Sequence, residues 1–234
     1  MTETTSPSTT SATTLAEMFT TAVATYGPRP ALDFMGRKTR YDQLGRNVAA
    51  VTAGLQALGV RHGTRVAMTL PNCPATVTLY FSILRAGGIV VALNPLYVER
   101  EIANLLRDSG AEIVCLPNLS DISTKVVRAT EGTQVRHIVA CDFAAQLPAI
   151  KSLLFRIARR RAIAHDLDGP RFVSFQTLLR TATPPTPVAI GAGDPAALQY
   201  TGGTTGLPKA AILTHANLLA NLAQVVDTVT AVPD

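Results

Sequence analysis

Residues 201–209 read Thr-Gly-Gly-Thr-Thr-Gly-Leu-Pro-Lys, the densest concentration of chemically useful groups in the chain. Gly202, Gly203 and Gly206 allow positive φ and bring backbone N–H groups close to anionic oxygens. Thr201, Thr204 and Thr205 add hydroxyl donors, and Pro208 fixes a turn that delivers the Lys209 ammonium as a point charge. That set suits a polyphosphate. It is not a Walker A loop, which requires Gly, four residues and then Gly-Lys-Ser/Thr; here Pro208 precedes the lysine and Ala210 follows it. A bare Thr-Gly-Gly would equally serve as a hairpin loop between two strands, and taken alone it favours that plainer role.

The longer string changes the balance. Leu198-Gln199-Tyr200-Thr201-Gly202-Gly203-Thr204-Thr205-Gly206-Leu207-Pro208-Lys209 resembles the phosphate-binding signature of the adenylate-forming superfamily, which holds acyl-CoA synthetases, peptide-synthetase adenylation domains and luciferases. Within that superfamily the string is most similar to bacterial long-chain fatty acid–CoA ligases. Ala211-Ile212-Leu213-Thr214-His215-Ala216-Asn217-Leu218 resembles the strand and helix that follow the signature. The run through Gly59-Val60, Pro71-Asn72, Ala86-Gly87-Gly88 and Asn94-Pro95 resembles the superfamily's amino-terminal subdomain, so the likeness extends from about Thr39 onward. Ala210 departs from the pattern, which has glycine after the lysine; if a close backbone approach is needed there, the methyl group weakens the fit of the loop.

The resemblance implies a two-step reaction. A fatty carboxylate attacks the α-phosphate of ATP to give acyl-AMP and pyrophosphate, and the thiol of coenzyme A then displaces AMP. Thr201, Gly202, Gly203, Thr204, Thr205, Gly206 and Lys209 are implied to hold the outer phosphates, with Lys209 in the catalytic role of offsetting charge on departing pyrophosphate. Magnesium would arrive with ATP. The superfamily's later parts are not recognisable: a Tyr-Gly-x-Thr-Glu segment, a ribose-binding Asp, a hinge, and a carboxy-terminal domain with its adenylation lysine. The expectation is an amino-terminal portion of a ligase, inactive alone, from a split gene or an early stop, with a complementing carboxy-terminal polypeptide as one partner. Two alternatives stand beside it: a fatty acyl-AMP ligase that loads a carrier protein, and a non-catalytic remnant or interaction module.

These residues need strands and helices to hold them. Ala196 to Tyr200 has the character of a strand that leads into the loop. Upstream, Arg65 to Leu70, Ile89 to Leu93, Ile113 to Leu116 and Val135 to Cys141 read as apolar strands, alternating with helices over 75–85, 99–109 and 121–131. The predicted class is α/β, a doubly wound parallel sheet covered on both faces. Before it, Thr14 and Glu17 form a capping-box pattern opening a helix whose apolar face ends at Gly27-Pro28. A hairpin around Gly36-Arg37-Lys38 and a long amphipathic helix closed by Gly59 follow. Asn94-Pro95-Leu96-Tyr97 stands after a strand's carboxyl end, a usual ligand position in open α/β sheets, and serves equally as a turn capping the next helix.

The chain has 234 residues, 47% of them hydrophobic, enough for a sizeable core. Met1 is not followed by a basic and then apolar stretch, so a cytoplasmic protein is expected. Cys73, Cys115 and Cys141 lie far apart in sequence without zinc spacing and read as buried or free thiols; no metal-ligating set is expected. No charge occurs between Arg65 and Arg85, yet Pro71, Asn72 and Pro74 interrupt the stretch, which excludes a membrane span. The net charge of +5 is localised: Lys151, Arg156, Arg159, Arg160 and Arg161 carry it without an intervening acid, so a nucleic-acid footprint is unsupported.

Around those cations, Ile150, Leu153, Leu154, Ile157 and Ala158 fall on one helical face, giving a basic amphipathic helix over 149–161. Such a helix either lies peripherally on the inner face of an anionic membrane or packs its apolar face on its own domain and leaves the basic face in water; the second reading is favoured. Residues 1–13 read as a disordered Ser/Thr-rich tail, 14–234 as a partial adenylate-forming domain, and 181–187 as a stiff Pro-rich linker. His62, His137, His165 and His215 have no carboxylate or metal spacing in the sequence, and His215 is expected to begin the last helix.

Overall fold

The structure is a computed structural model that describes residues 12–201 and 209–230. Helix α1 (Leu15–Tyr26) begins with the expected capping box: the Thr14 hydroxyl accepts from Glu17 N–H at 3.2 Å, and the Glu17 carboxylate accepts from Thr14 N–H at 3.3 Å. An antiparallel pair, β1 (Pro30–Phe34) and β2 (Arg37–Arg40), turns through Met35 and Gly36, both at positive φ. Helix α2 (Tyr41–Ala57) then leads into the main sheet.

That sheet takes β3 (Arg65–Met68), α3 (Pro74–Arg85), β4 (Ile89–Ala92), α4 (Glu99–Ser109), β5 (Ile113–Pro117), α5 (Ser120–Ala129) and β6 (His137–Cys141) in turn. Helix α6 (Ala149–Ala158), β7 (Phe172–Ser174), α7 (Phe175–Leu179), β8 (Pro195–Thr201), β9 (Lys209–Thr214) and α8 (His215–Thr230) complete the order. Seven strands lie as β7-β6-β5-β3-β4-β8-β9; all neighbours are parallel except β8 and β9. The chain therefore winds outward from β3 in both directions, and the expected doubly wound sheet is present. Strands β7 and the short α7 had no distinct signal in the sequence.

Side chains alternate across the central strands, as the pleat requires. Val66, Met68, Val90, Cys115, Val139 and Ala197 enter one apolar layer under α1, α2, α3 and α7. Ala67, Val91, Val114, Ile138, Leu198 and Tyr200 enter a second layer with Ile102 and Leu106 of α4 and Val126 of α5. Both faces are covered, which is why these strands read as continuous apolar runs rather than alternating ones. The cysteines, far apart in sequence, share the first layer and are all buried. Burial pushes the Cys115 thiol up to about 12 and raises that of Cys141 as well.

Residues 181–187 carry neither helix nor strand, and Gln56 holds them: Thr186 N–H donates to the Gln56 side-chain oxygen at 2.9 Å and the Gln56 amide donates to Thr186 carbonyl at 2.8 Å. Most of the expected tail, residues 1–11, lies outside the described residues, while Thr13 bonds to the Glu17 carboxylate.

The amphipathic helix α6 departs from the favoured expectation. It has no buried residue, and Ile150, Leu153, Leu154 and Ile157 are 77%, 60%, 59% and 65% exposed. The helix docks through its other side. Phe155 sits 5.5 Å from Phe143 between ring centroids, Lys151 Nζ donates to the Met35 carbonyl at 2.7 Å, and Arg156 pairs with Asp142. Phe143 in turn meets Phe34 edge to face. The neighbouring surface thus offers aromatic rings, a carbonyl and a carboxylate, which select the aromatic and cationic side of the helix and leave the aliphatic stripe outward.

Candidate functional site

The Thr/Gly string joins two antiparallel strands. Thr201, the last residue of β8, stands opposite Lys209, the first of β9, and its hydroxyl lies 3.4 Å from the Lys209 carbonyl. Gly202, Gly203, Thr204, Thr205 and Gly206 lie outside the described residues. The two readings of the string are therefore compatible: it closes a hairpin, and Thr201 and Lys209 are brought together at the hairpin's mouth.

The position of that mouth follows from register. Met68 of β3 stands opposite Ala92 of β4, and Ala92 opposite Gln199 of β8, so the carboxyl ends of three parallel strands are level. Open α/β sheets bind ligands at this end. Beside it, the Asn94 side chain accepts from Leu96 N–H at 2.9 Å, a turn that leads into α4, whose Glu101 accepts from Val98 N–H at 3.1 Å. The capping role of 94–97 is thus satisfied within the segment itself, and Leu96 remains exposed.

The base of the hairpin is fixed. Asp194, just before β8, accepts through its carbonyl from His215 N–H at 3.1 Å, and Ala192 carbonyl accepts from Ala216 N–H at 2.8 Å. The Asp194 carboxylate accepts from Gly191 N–H at 2.8 Å and meets His62 Nε2 at 3.0 Å; these contacts, the Gly191 bond first, lower its pKa. His62 therefore does have a carboxylate partner, one that its sequence neighbourhood could not reveal. His215 opens α8 as expected and is buried, its Nδ1 accepting from Leu15 N–H at 3.2 Å. It ties the hairpin to the first turn of α1, 200 positions earlier.

Ala210 stands inside β9 opposite Tyr200, and its methyl group packs on the second apolar layer. The extra methyl is accommodated in the ladder of the strand. Tyr200 contributes a pairing that sequence reading missed: its hydroxyl donates to Asp108 of α4 at 2.6 Å, and burial, reinforced by that carboxylate, raises its pKa. Only a contact between residues 92 apart reveals it. Arg65, Asp108, Tyr200, Lys209 and Ile212 line an open cleft of about 700 Å³ along this flank. Its wall combines the Asp108 carboxylate with the cations Arg65 and Lys209. Among the described residues no cluster of three or more His, Cys, Asp and Glu could hold a metal ion.

Comparison with known proteins places the chain in a family. The chain is 35% identical over 212 residues to the long-chain-fatty-acid–CoA ligase of Bacillus subtilis, and 41% identical over 217 residues to that of Yersinia pestis. These alignments cover 89% and 90% of the chain and 38% of each relative, so the chain spans about two-fifths of the length of the curated relatives it matches. Solved structures of a long-chain-fatty-acid-CoA ligase from Archaeoglobus fulgidus and a benzoate CoA ligase from Burkholderia xenovorans superpose with TM-scores of 0.69 and 0.68. They cover 91% and 89% of the chain and 39% and 36% of those proteins, at 22% and 20% identity, and so establish a common fold. The model of the AMP-binding enzyme family matches residues 19–233, nearly the whole length, and the chain belongs to that family.

Proposed function

We propose that this chain supplies the nucleotide-phosphate grip of a fatty acid–CoA ligase. The observation that carries the reading is the juxtaposition of Thr201 and Lys209 at the mouth of a β8–β9 hairpin, on the carboxyl side of the sheet, with the Thr/Gly string between them. Identity of 35–41% to ligases of long-chain fatty acids supports the substrate class. In the reaction, a carboxylate oxygen bonds to the α-phosphorus of ATP while the bond to pyrophosphate breaks; the thiolate of coenzyme A then attacks the acyl carbon and AMP leaves. The backbone amides and hydroxyls of 201–206 bind the outer phosphates, magnesium enters with ATP, and Lys209 stabilises the charge that gathers on pyrophosphate. Peripheral contact with the inner face of the membrane through 149–161 belongs to the same reading.

The chain alone is proposed to catalyse neither step. Holding carboxylate, α-phosphate and a charge-stabilising group together can supply about 7–11 kcal/mol of barrier lowering, and a grip on outer phosphates is a small part of that. A complementing carboxy-terminal polypeptide would provide the rest.

Calorimetric titration with MgATP and pyrophosphate tests the grip. The parent should bind, and a Lys209→Ala, Thr204→Ala variant should bind about 10- to 100-fold more weakly, the value of one or two hydrogen bonds to a charged group. Equal affinity would remove the loop from phosphate binding. Fatty-acid-dependent ATP–pyrophosphate exchange clearly above background with the unmixed chain would overturn its proposed inactivity. In a complemented preparation, transfer to coenzyme A or to a carrier protein separates the ligase from a fatty acyl-AMP ligase.

A further inference from the structure

The outward stripe of α6 has a specific use. We infer that Ile150, Leu153, Leu154 and Ile157 form a bilayer-insertion face, and that the cations beside them select an anionic lipid surface. Spacing of i, i+3, i+4 and i+7 places the four on one side of the helix, and all are more than half exposed. Four large aliphatic side chains held together in water by an otherwise docked helix are a costly arrangement without an occupant.

The charges decide which occupant. Arg159, Arg160 and Arg161 are exposed, and their guanidinium groups make no hydrogen bond or ion pair with the described residues. Lys151 and Arg156 are held on the inner side of the helix, where they anchor it to Met35 and Asp142. The outer rim is therefore cationic and contains no acid from residue 144 to residue 165. A second copy of the chain meeting this face about a two-fold axis would set those cations against their own copies; anionic headgroups complement them, and acyl chains complement the stripe. The rigidity of the attachment matters as well. Because Phe155, Lys151 and Arg156 fasten the polar side, the apolar face is presented without the helix leaving its domain. Helix α6 follows the carboxyl end of β6 and touches Met35 in the β1–β2 turn, so the lipid surface would approach the same end of the sheet from which the 202–208 segment emerges.

Insertion of α6 rests on the peripheral membrane contact proposed above but needs no nucleotide, so its failure is distinguishable from failure of the phosphate grip. The chain contains no Trp, so a Leu153→Trp variant gives a clean reporter and Ile212→Trp, on the exposed edge of β9, a control. With vesicles of phosphatidylcholine and phosphatidylglycerol, emission from the Leu153→Trp variant should shift to the blue and be quenched by brominated acyl chains, while Ile212→Trp should not respond. A Leu153→Ser, Ile157→Ser variant should partition about tenfold or more weakly, and each Arg→Gln change at 159–161 should cost about fivefold. Unchanged far-UV circular dichroism and melting temperature would establish that these variants fold. Absence of the shift, partition unaffected by the Ser changes, or the same shift on concentrating the protein without vesicles would overturn the inference, the last by showing that another copy covers the face.

Discussion

His215 offers a sharp test of how the hairpin is held. Its ring is buried, and Nδ1 accepts the N–H of Leu15, a first-turn helix donor with no partner inside its own helix. Replacing it, as in His215→Phe, keeps a planar ring and leaves that buried donor unmade, which costs about 1–3 kcal/mol. For a domain of this size each kcal/mol moves the melting temperature by about 2–4 °C, so a fall of about 2–12 °C is expected. The pH dependence is more diagnostic. Burial holds the His215 pKa below its ordinary 6.5, against the opposing pull of Asp194 and Glu17. Between the folded value and 6.5 the unfolded chain binds more protons, so the stability contributed by neutral His215 is complete above 6.5 and lost as pH falls through that window. Protonation of Nδ1 would also remove the acceptor for Leu15. Thermal melts of parent and variant from about pH 7.5 to about pH 5.5 should therefore converge, with the parent losing more. The carboxylates with lowered pKa values, Glu17, Asp42 and Asp194, act below their ordinary 3.8–4.5 and leave this window undisturbed. Parallel curves, or a variant as stable as the parent at neutral pH, would refute the anchoring argument.

Two further outcomes follow from packing. Gly87→Ala should destabilise by about 2–5 kcal/mol, since φ is +77° and an added Cβ would lie 2.8 Å from Val188 Cγ1 and 3.1 Å from His62 Cα; Gly132→Ala, at φ +65° in open space, should cost only about 1–2 kcal/mol. Urea denaturation that ranks the two equally would show that residues 181–190 do not press on that turn. Cys73, Cys115 and Cys141 should resist a charged thiol reagent in the native protein and react fully in denaturant, because all are buried and burial disfavours the thiolates of Cys115 and Cys141; rapid native labelling at neutral pH would contradict that packing.

The central parallel sheet was legible because its buried strands β3 to β6 are short apolar runs that alternate with helical segments. Helix α4 spans Glu99–Ser109 as its sequence indicates, ended by Gly110 in the left-handed conformation. The β8–β9 hairpin was legible from an apolar strand followed by Gly and Thr. What the sequence could not supply were partners chosen across the fold. His62 finds Asp194, Tyr200 finds Asp108, and His215 finds Leu15, at separations of 132, 92 and 200 residues. Helix α6 shows a different limit. Its periodicity revealed an apolar stripe, but which side docks depended on the surface offered by Phe143, Asp142 and Met35, and that surface drew the aromatic and cationic side inward.

The same long-range contacts explain how a loop made of glycine and threonine could serve chemistry. Glycine-rich backbone loses more conformational entropy on ordering than any other. Here the two ends of the segment are held. At the mouth, Thr201 and Lys209 are paired in a ladder whose next rung sets Ala210 on Tyr200, and Tyr200 is pinned to α4 through Asp108. At the base, Asp194 is joined to His62 through its carboxylate and to α8 through its carbonyl, and His215 carries the connection to α1. Ala210 belongs to this frame, where its methyl group fills the second apolar layer, so a side chain at that position serves the strand. The residues on either side of 202–208 are thereby held, and Lys209 stands on a strand whose backbone is already set by its pairing with β8.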